Sequence, residues 1–146
     1  MKRRRHAASD SRDRGSVAVE FALLLPVLLL ILFGIIDFGR AISYQITLTQ
    51  AAREGARVAS LGGSTSAVTT RTESAAAPTL TLTSANITVT PATSPACGPG
   101  AGGDAVVKVT YTYQFITPVG AFMAMFGTGL GSTLSLTATG TMPCET

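Results

Sequence analysis

The run from Ser16 to Ile36 is apolar except for Glu20, and no other feature of the chain limits its fold so tightly. Coiled as a helix, 21 residues at about 1.5 Å each make a rod of roughly 31 Å, the thickness of a bilayer's hydrocarbon layer. A cleaved secretory signal is the competing reading, but its apolar region would be shorter and would close on a small-x-small site. Ala41-Ile42-Ser43 is a poor one. The expectation is a retained span.

Charge sets the orientation. Lys2, Arg3, Arg4, Arg5, Arg12 and Arg14 precede the span, whereas Arg40 alone follows it within a dozen positions. The positive-inside rule then puts the N-terminus in the cytoplasm and everything after Asp37 on the far side, periplasmic or extracellular. The formal charge of +3 belongs to that leader, because without residues 1–15 five basic side chains face six acidic ones. No electrostatic footprint for nucleic acid remains. A charged fraction of 13%, against about 25% in soluble domains, agrees with a chain partly outside water.

Glu20 lies a turn inside the membrane boundary. A carboxylate there either snorkels to the headgroups or finds a partner within the membrane. Pro26 reads as a kink in the span.

The stretch Gly15-Ser16-Val17-Ala18-Val19-Glu20-Phe21-Ala22-Leu23, then Leu25-Pro26 and Phe33-Gly34-Ile35-Ile36-Asp37-Phe38-Gly39-Arg40, resembles the opening of the TadE-like family, pseudopilins of the tight-adherence (Flp) pilus system. The likeness runs more loosely through Gln50–Arg57, and Phe21 stands where pilins of that system commonly carry Tyr. The resemblance implies that a prepilin peptidase removes residues 1–15 after Gly15. Ser16 would become the new N-terminus and Glu20 its fifth residue. A Glu20 carboxylate on one subunit could then neutralise the Ser16 ammonium of a neighbour in low dielectric and set the helices in register. The implied partners are other pilin or pseudopilin subunits, the peptidase, the pilus assembly platform and the lipid bilayer.

Beyond the span, Phe38, Ala41, Ile42, Gln45, Leu48, Ala52, Gly55 or Ala56, and Ala59 keep a helical period, so one helix is expected over about residues 17–61, ended by Gly62-Gly63. Glu54 and Arg57 are spaced to pair along it. Small residues at Ala51, Gly55, Ala59 and at Ala52, Ala56, Ser60 permit close approach of a sheet or another helix. Residues 62–78, rich in Gly, Ser, Thr and Ala, read as a loop.

The period then becomes two. Leu80 and Leu82 alternate with threonines, and Ile87 and Val89 repeat the pattern. Val107, Val109, Tyr111, Tyr113 and Phe115 share one face of a longer run, and Leu134, Leu136, Ala138 and Met142 one face of another. These strands are apolar on one side and threonine-coated on the other, as in an antiparallel sheet wet on one face. The expected fold is α+β: a long N-terminal helix packed on three or four antiparallel strands, pilin-like by the resemblance. The continuously apolar segment 118–126 is either core filler at the sheet's end or a contact with a subunit or membrane.

Cys97 and Cys144 are the only cysteines, and a bridge between them would stabilise so small a domain by roughly 4 kcal/mol. No exported histidine exists, since His6 lies in the leader, so a Ser-His-Asp or Cys-His arrangement has no footing and zinc lacks ligands. Gly127-Thr-Gly129-Leu-Gly131 has the wrong spacing for a phosphate loop, and no two carboxylates are placed as an acid and base pair. Asn86-Ile87-Thr88 matches a glycosylation sequon only as three residues can by chance.

The expected organisation is a basic leader at 1–15, a transmembrane helix at 16–37, an exported amphipathic helix at 38–61, a loop at 62–78 and a β-rich domain at 79–146. The expected role is non-enzymatic and cofactor-free: a minor pilin-like assembly component of a Flp-type pilus or related secretion machine. The alternative is an uncleaved, membrane-tethered adaptor or binding module of the envelope.

Overall fold

In the computed structural model, which describes residues 9–100, 102–121 and 133–145, the apolar run belongs to one continuous helix, α1, Ser9–Ser60. It passes through Pro26, whose ring nitrogen cannot bond the carbonyl of Ala22, without ending. It also starts earlier than residue 17. A lone glycine such as Gly15 costs a helix interior only about 1 kcal/mol relative to alanine, too little to break it.

The C-terminal end falls where the glycines require. Gly62 adopts φ +76°, its N–H donates to the Ala59 carbonyl at 3.1 Å, and the Gly63 N–H donates to that of Val58 at 3.0 Å. This paired closure satisfies carbonyls that the helix would otherwise leave open, and its left-handed step suits a residue without a side chain.

Residues 62–78 correct the sequence reading, for they hold a second helix, α2, Thr65–Ala76. Ser64 caps it, its hydroxyl accepting from the Ala67 N–H. Val68, Thr72 and Ala76, spaced four apart, bury one face. That face beds into α1 at Gly55, where an added Cβ would collide with the Thr72 hydroxyl. Twelve threonine- and alanine-rich residues are marginal as a free helix, so packing on the small residues of α1 must supply most of the stability. Glu54 bonds Arg71 of α2 at 2.7 Å, not Arg57 as the spacing suggested. The Arg71 guanidinium holds the Glu54 carboxyl below its ordinary pKa.

Leu80 and Leu82 are buried, but in a segment outside the sheet rather than in a strand. After a 3-10 turn at Ser84–Asn86, three strands form: β1, Ile87–Thr90; β2, Asp104–Gln114; and β3, Thr133–Pro143. They lie in chain order, antiparallel, with Val109 opposite Ile87 on one side and Ala138 on the other. Ala105, Val107, Val109 and Tyr113 of β2 face inward beside Leu136 and Ala138 of β3, while Lys108, Thr110, Thr112, Thr137 and Thr139 face out. The second half of α1 covers the dry face through fully buried Leu48, Ala51, Ala52, Ala56 and Ala59.

At Gly140 helix and strand come within backbone contact: a Cβ there would sit 2.7 Å from the Arg53 nitrogen and closer still to the Ala52 carbonyl. The tail is tied back at three points. Cys144 donates to the Gly103 carbonyl, Glu145 to that of Ser60, and Cys144 is bonded through sulfur to Cys97, with Cα atoms 5.5 Å apart.

Candidate functional site

Two regions of α1 carry the candidate chemistry: its bare N-terminal half and the junction where that half meets the domain. In the bare half no residue of the most apolar 18-residue window is buried by the rest of the chain. Val17, Phe21, Leu23 and Val27 are all more than half exposed. A core helix of a soluble domain would hide such a surface, because several hundred Å² of bare apolar area in water is rarely tolerated. The helix is thus compatible with single-pass anchoring by length, composition and lack of cover.

Gly15, Ser16 and Glu20 are exposed on this helix. Ser16 and Glu20 are one turn apart, about 6 Å along the axis and on the same face. A Cβ added at Gly15 meets nothing within 4 Å, so the fold itself does not call for glycine there. The structure does not bring these residues to Cys97 and Cys144, which lie at the far end with the tail. The described part of the apolar segment 118–126, Pro118–Ala121, lies beside α1; Phe122–Phe126 lie outside the described residues.

The junction is built on Asp37, the first residue beyond the apolar run, and it is fully buried. One carboxylate oxygen accepts from the Tyr113 hydroxyl at 3.3 Å and the Ile116 N–H at 3.2 Å; the other accepts from the Thr117 N–H at 3.3 Å and, at short range, the Thr117 hydroxyl. Tyr113 also reaches the Asp37 main-chain carbonyl at 3.2 Å. Four donors match what the lone pairs of an ionised carboxylate can take. Such saturation lets a charge persist away from water. It leaves no free oxygen for acid or base catalysis.

Around this bond sit aromatic rings. Tyr113 packs edge-on to Tyr44 of α1 at 5.4 Å and to Phe115 at 5.6 Å, and Tyr44 meets Tyr111 at 6.0 Å. Arg40 donates to the Tyr44 hydroxyl at 2.9 Å. Burial, with the Asp37 charge beside it, pushes the Tyr113 hydroxyl above its ordinary pKa. Sequence reasoning missed the role of Asp37 because its partners are 76 and more positions away. The available signal was an acid closing an apolar run, which a membrane boundary alone does not require.

A bare apolar rod joined through a saturated carboxylate to a helix-covered sheet makes an α+β protein whose long N-terminal helix is compatible with single-pass anchoring. The family described as TadE-like protein, associated with the Tad pilus, matches residues 15–57, so it is to that family that the apolar stretch of α1 and the helical turns after it are similar. No curated protein and no solved structure matches the chain.

Proposed function

We propose that the chain is a minor pilin-like assembly subunit of a Flp (Tad) type pilus or related secretion machine, inserted with its N-terminus in the cytoplasm and cleaved after Gly15. The observation that carries this reading is coincidence in position. The family match begins at Gly15, the residue at which the basic leader gives way to the apolar run. Cleavage would create an ammonium at Ser16 and turn Glu20 from a mid-helix residue into one close to a helix N-terminus, where the dipole favours a negative charge. Glu20 would then register one subunit's helix against the next.

A glycine of α1 supports association. An added Cβ at Gly39 meets nothing within 4 Å, so this residue weakens the helix without serving the fold of a single chain. Close approach of a neighbouring helix accounts for it. The Cys97–Cys144 bond suits an oxidising compartment. The chain works here by binding its own kind and the assembly platform, without catalysis or cofactor.

One observation favours the uncleaved adaptor: α1 runs unbroken across the Gly15–Ser16 bond, and proteases act on extended backbone. Intact mass and N-terminal sequencing of the chain from membranes containing a prepilin peptidase separate the two. Loss of residues 1–15 is expected for the pilin-like subunit, and a full-length chain would contradict cleavage and favour the adaptor.

A further inference from the structure

The connection from β2 to β3, residues 115–132, holds eighteen residues and no charged side chain, which is unusual for a surface loop. Its described part does not stand away from the anchor. Pro118, Val119 and Ala121 line a cavity of about 380 Å³ together with Pro26, Leu29, Leu30 and Phe33, and Phe115, Val119 and Gly120 line a second of about 390 Å³ with Leu30, Ile31, Gly34, Ile35 and Phe38. Pro26 is ten residues before Ile36, about 15 Å along the helix and thus near mid-bilayer for the span assigned above. The loop therefore descends past the membrane boundary beside the helix.

Irregular backbone survives at that depth only if its polar groups are satisfied within the protein. The N–H groups of Ile116 and Thr117 go to the Asp37 carboxylate, Pro118 has none, and that of Val119 goes to the Thr117 hydroxyl. Each N–H from 116 to 119 is thus either absent or bonded, and the backbone turns helical at residues 119–121, level with Leu30. Ile116, by contrast, leaves an apolar side chain 61% exposed.

We infer that Ile116–Ala121 is a second membrane element, seated among acyl chains of the leaflet on the domain's side. Those acyl chains also fill the two clefts between loop and span. The surface is continuous with the bare face of α1, so the same lipid meets both. Asp37 acts as the device that lets the strand leave its sheet and enter the membrane without orphaned donors. This inference rests on the anchored reading of α1, though not on cleavage or pilus assembly.

The chain contains no tryptophan, so single Trp reporters can be placed in the full-length protein. Ala121→Trp, Ile116→Trp, Leu24→Trp within the span and Thr112→Trp on the wet face of β2 would each be reconstituted into phosphatidylcholine–phosphatidylglycerol vesicles. Some vesicles would carry a nitroxide at the headgroup and others at mid-chain. Ala121→Trp is expected to lose most of its emission to the mid-chain label, as Leu24→Trp does, Ile116→Trp to respond more to the headgroup label, and Thr112→Trp to respond to neither. If Leu24→Trp is quenched while both loop reporters respond only to aqueous iodide, the loop stands in water; the inference is overturned and the anchor stands. Loop reporters shielded from iodide and from both lipid labels would place protein, not lipid, in the clefts and overturn it equally. An unquenched Leu24→Trp would remove the anchor itself.

Discussion

The Tyr113 hydroxyl reaches across 76 positions of sequence to the Asp37 carboxylate, 3.3 Å away, and so fastens the end of the central strand to the point where α1 leaves its apolar run. The same carboxylate takes the N–H groups of Ile116 and Thr117, two and three residues beyond the strand, so one side chain fixes both the tilt of the sheet on the helix and the path of the loop that follows. In the proposed pilin-like role, a subunit packing through its helix would need its domain held at one attitude to that helix. Asp37 provides the constraint.

Asp37→Ala should destabilise the domain by about 3 kcal/mol, because the buried Tyr113 hydroxyl and three part-buried donors of Ile116 and Thr117 lose their acceptor at once. Asp37→Asn should cost nearly as much, since an amide nitrogen would face donors. Tyr113→Phe removes one hydroxyl and should cost about 1 kcal/mol. Denaturant unfolding of the chain in micelles measures all three. The pH dependence follows from Tyr113, whose pKa is raised in the folded state. Its contribution is complete below the ordinary tyrosine value of about 10 and is lost as pH rises through the higher folded value. Tyr113→Phe should flatten that alkaline decline.

Gly140→Ala should destabilise by about 1–3 kcal/mol, since the new methyl group meets the main chain of Ala52 and Arg53, which cannot swing aside. Gly39→Ala, placed where a Cβ meets nothing, is the control and should leave melting unchanged or raise it. Equal melting temperatures for the wild type and Gly140→Ala would contradict the close helix–strand approach.

Breaking the Cys97–Cys144 bond, by reduction or by Cys97→Ser, should lower stability by about 4 kcal/mol, the entropy returned to a denatured chain freed of a loop of this length. Thermal scans with and without reductant test this. Domain unfolding that is indifferent to reductant would show that the bond is unformed or energetically idle.

Glu20→Ala should leave processing intact and impair assembly, because the residue is exposed and supports nothing within its own chain's fold. Pilus counts and immunoblots of the mature chain read the two effects separately. Normal piliation would falsify the registering role.

The sequence displayed most clearly what is local or one-sided. Alternation along β2 and β3 was legible because one face is wet, and Gly62-Gly63 marked the end of α1 because only a left-handed step completes that closure. Helix α2 was hidden. Its inward face is Val68, Thr72 and Ala76, too weakly apolar to show a period, and it forms because Gly55 admits it. Leu80 and Leu82 had the pattern of a strand without one, since burial needs only a side chain pointing inward and not a ladder. Asp37 was unreadable because its meaning depends on residues 113–117, which only the folded chain brings to it.

The central claim, a helix held in the bilayer with its sheet domain on the far side, is tested most directly by placing a site-specific protease sequence after Thr93, in the exposed loop that follows β1. Intact spheroplasts would be treated with the protease and their membranes washed with carbonate. The expected result is cleavage from outside, with the N-terminal fragment retained in the washed membranes. A chain released by carbonate, or one cut only after the spheroplasts are lysed, would contradict it.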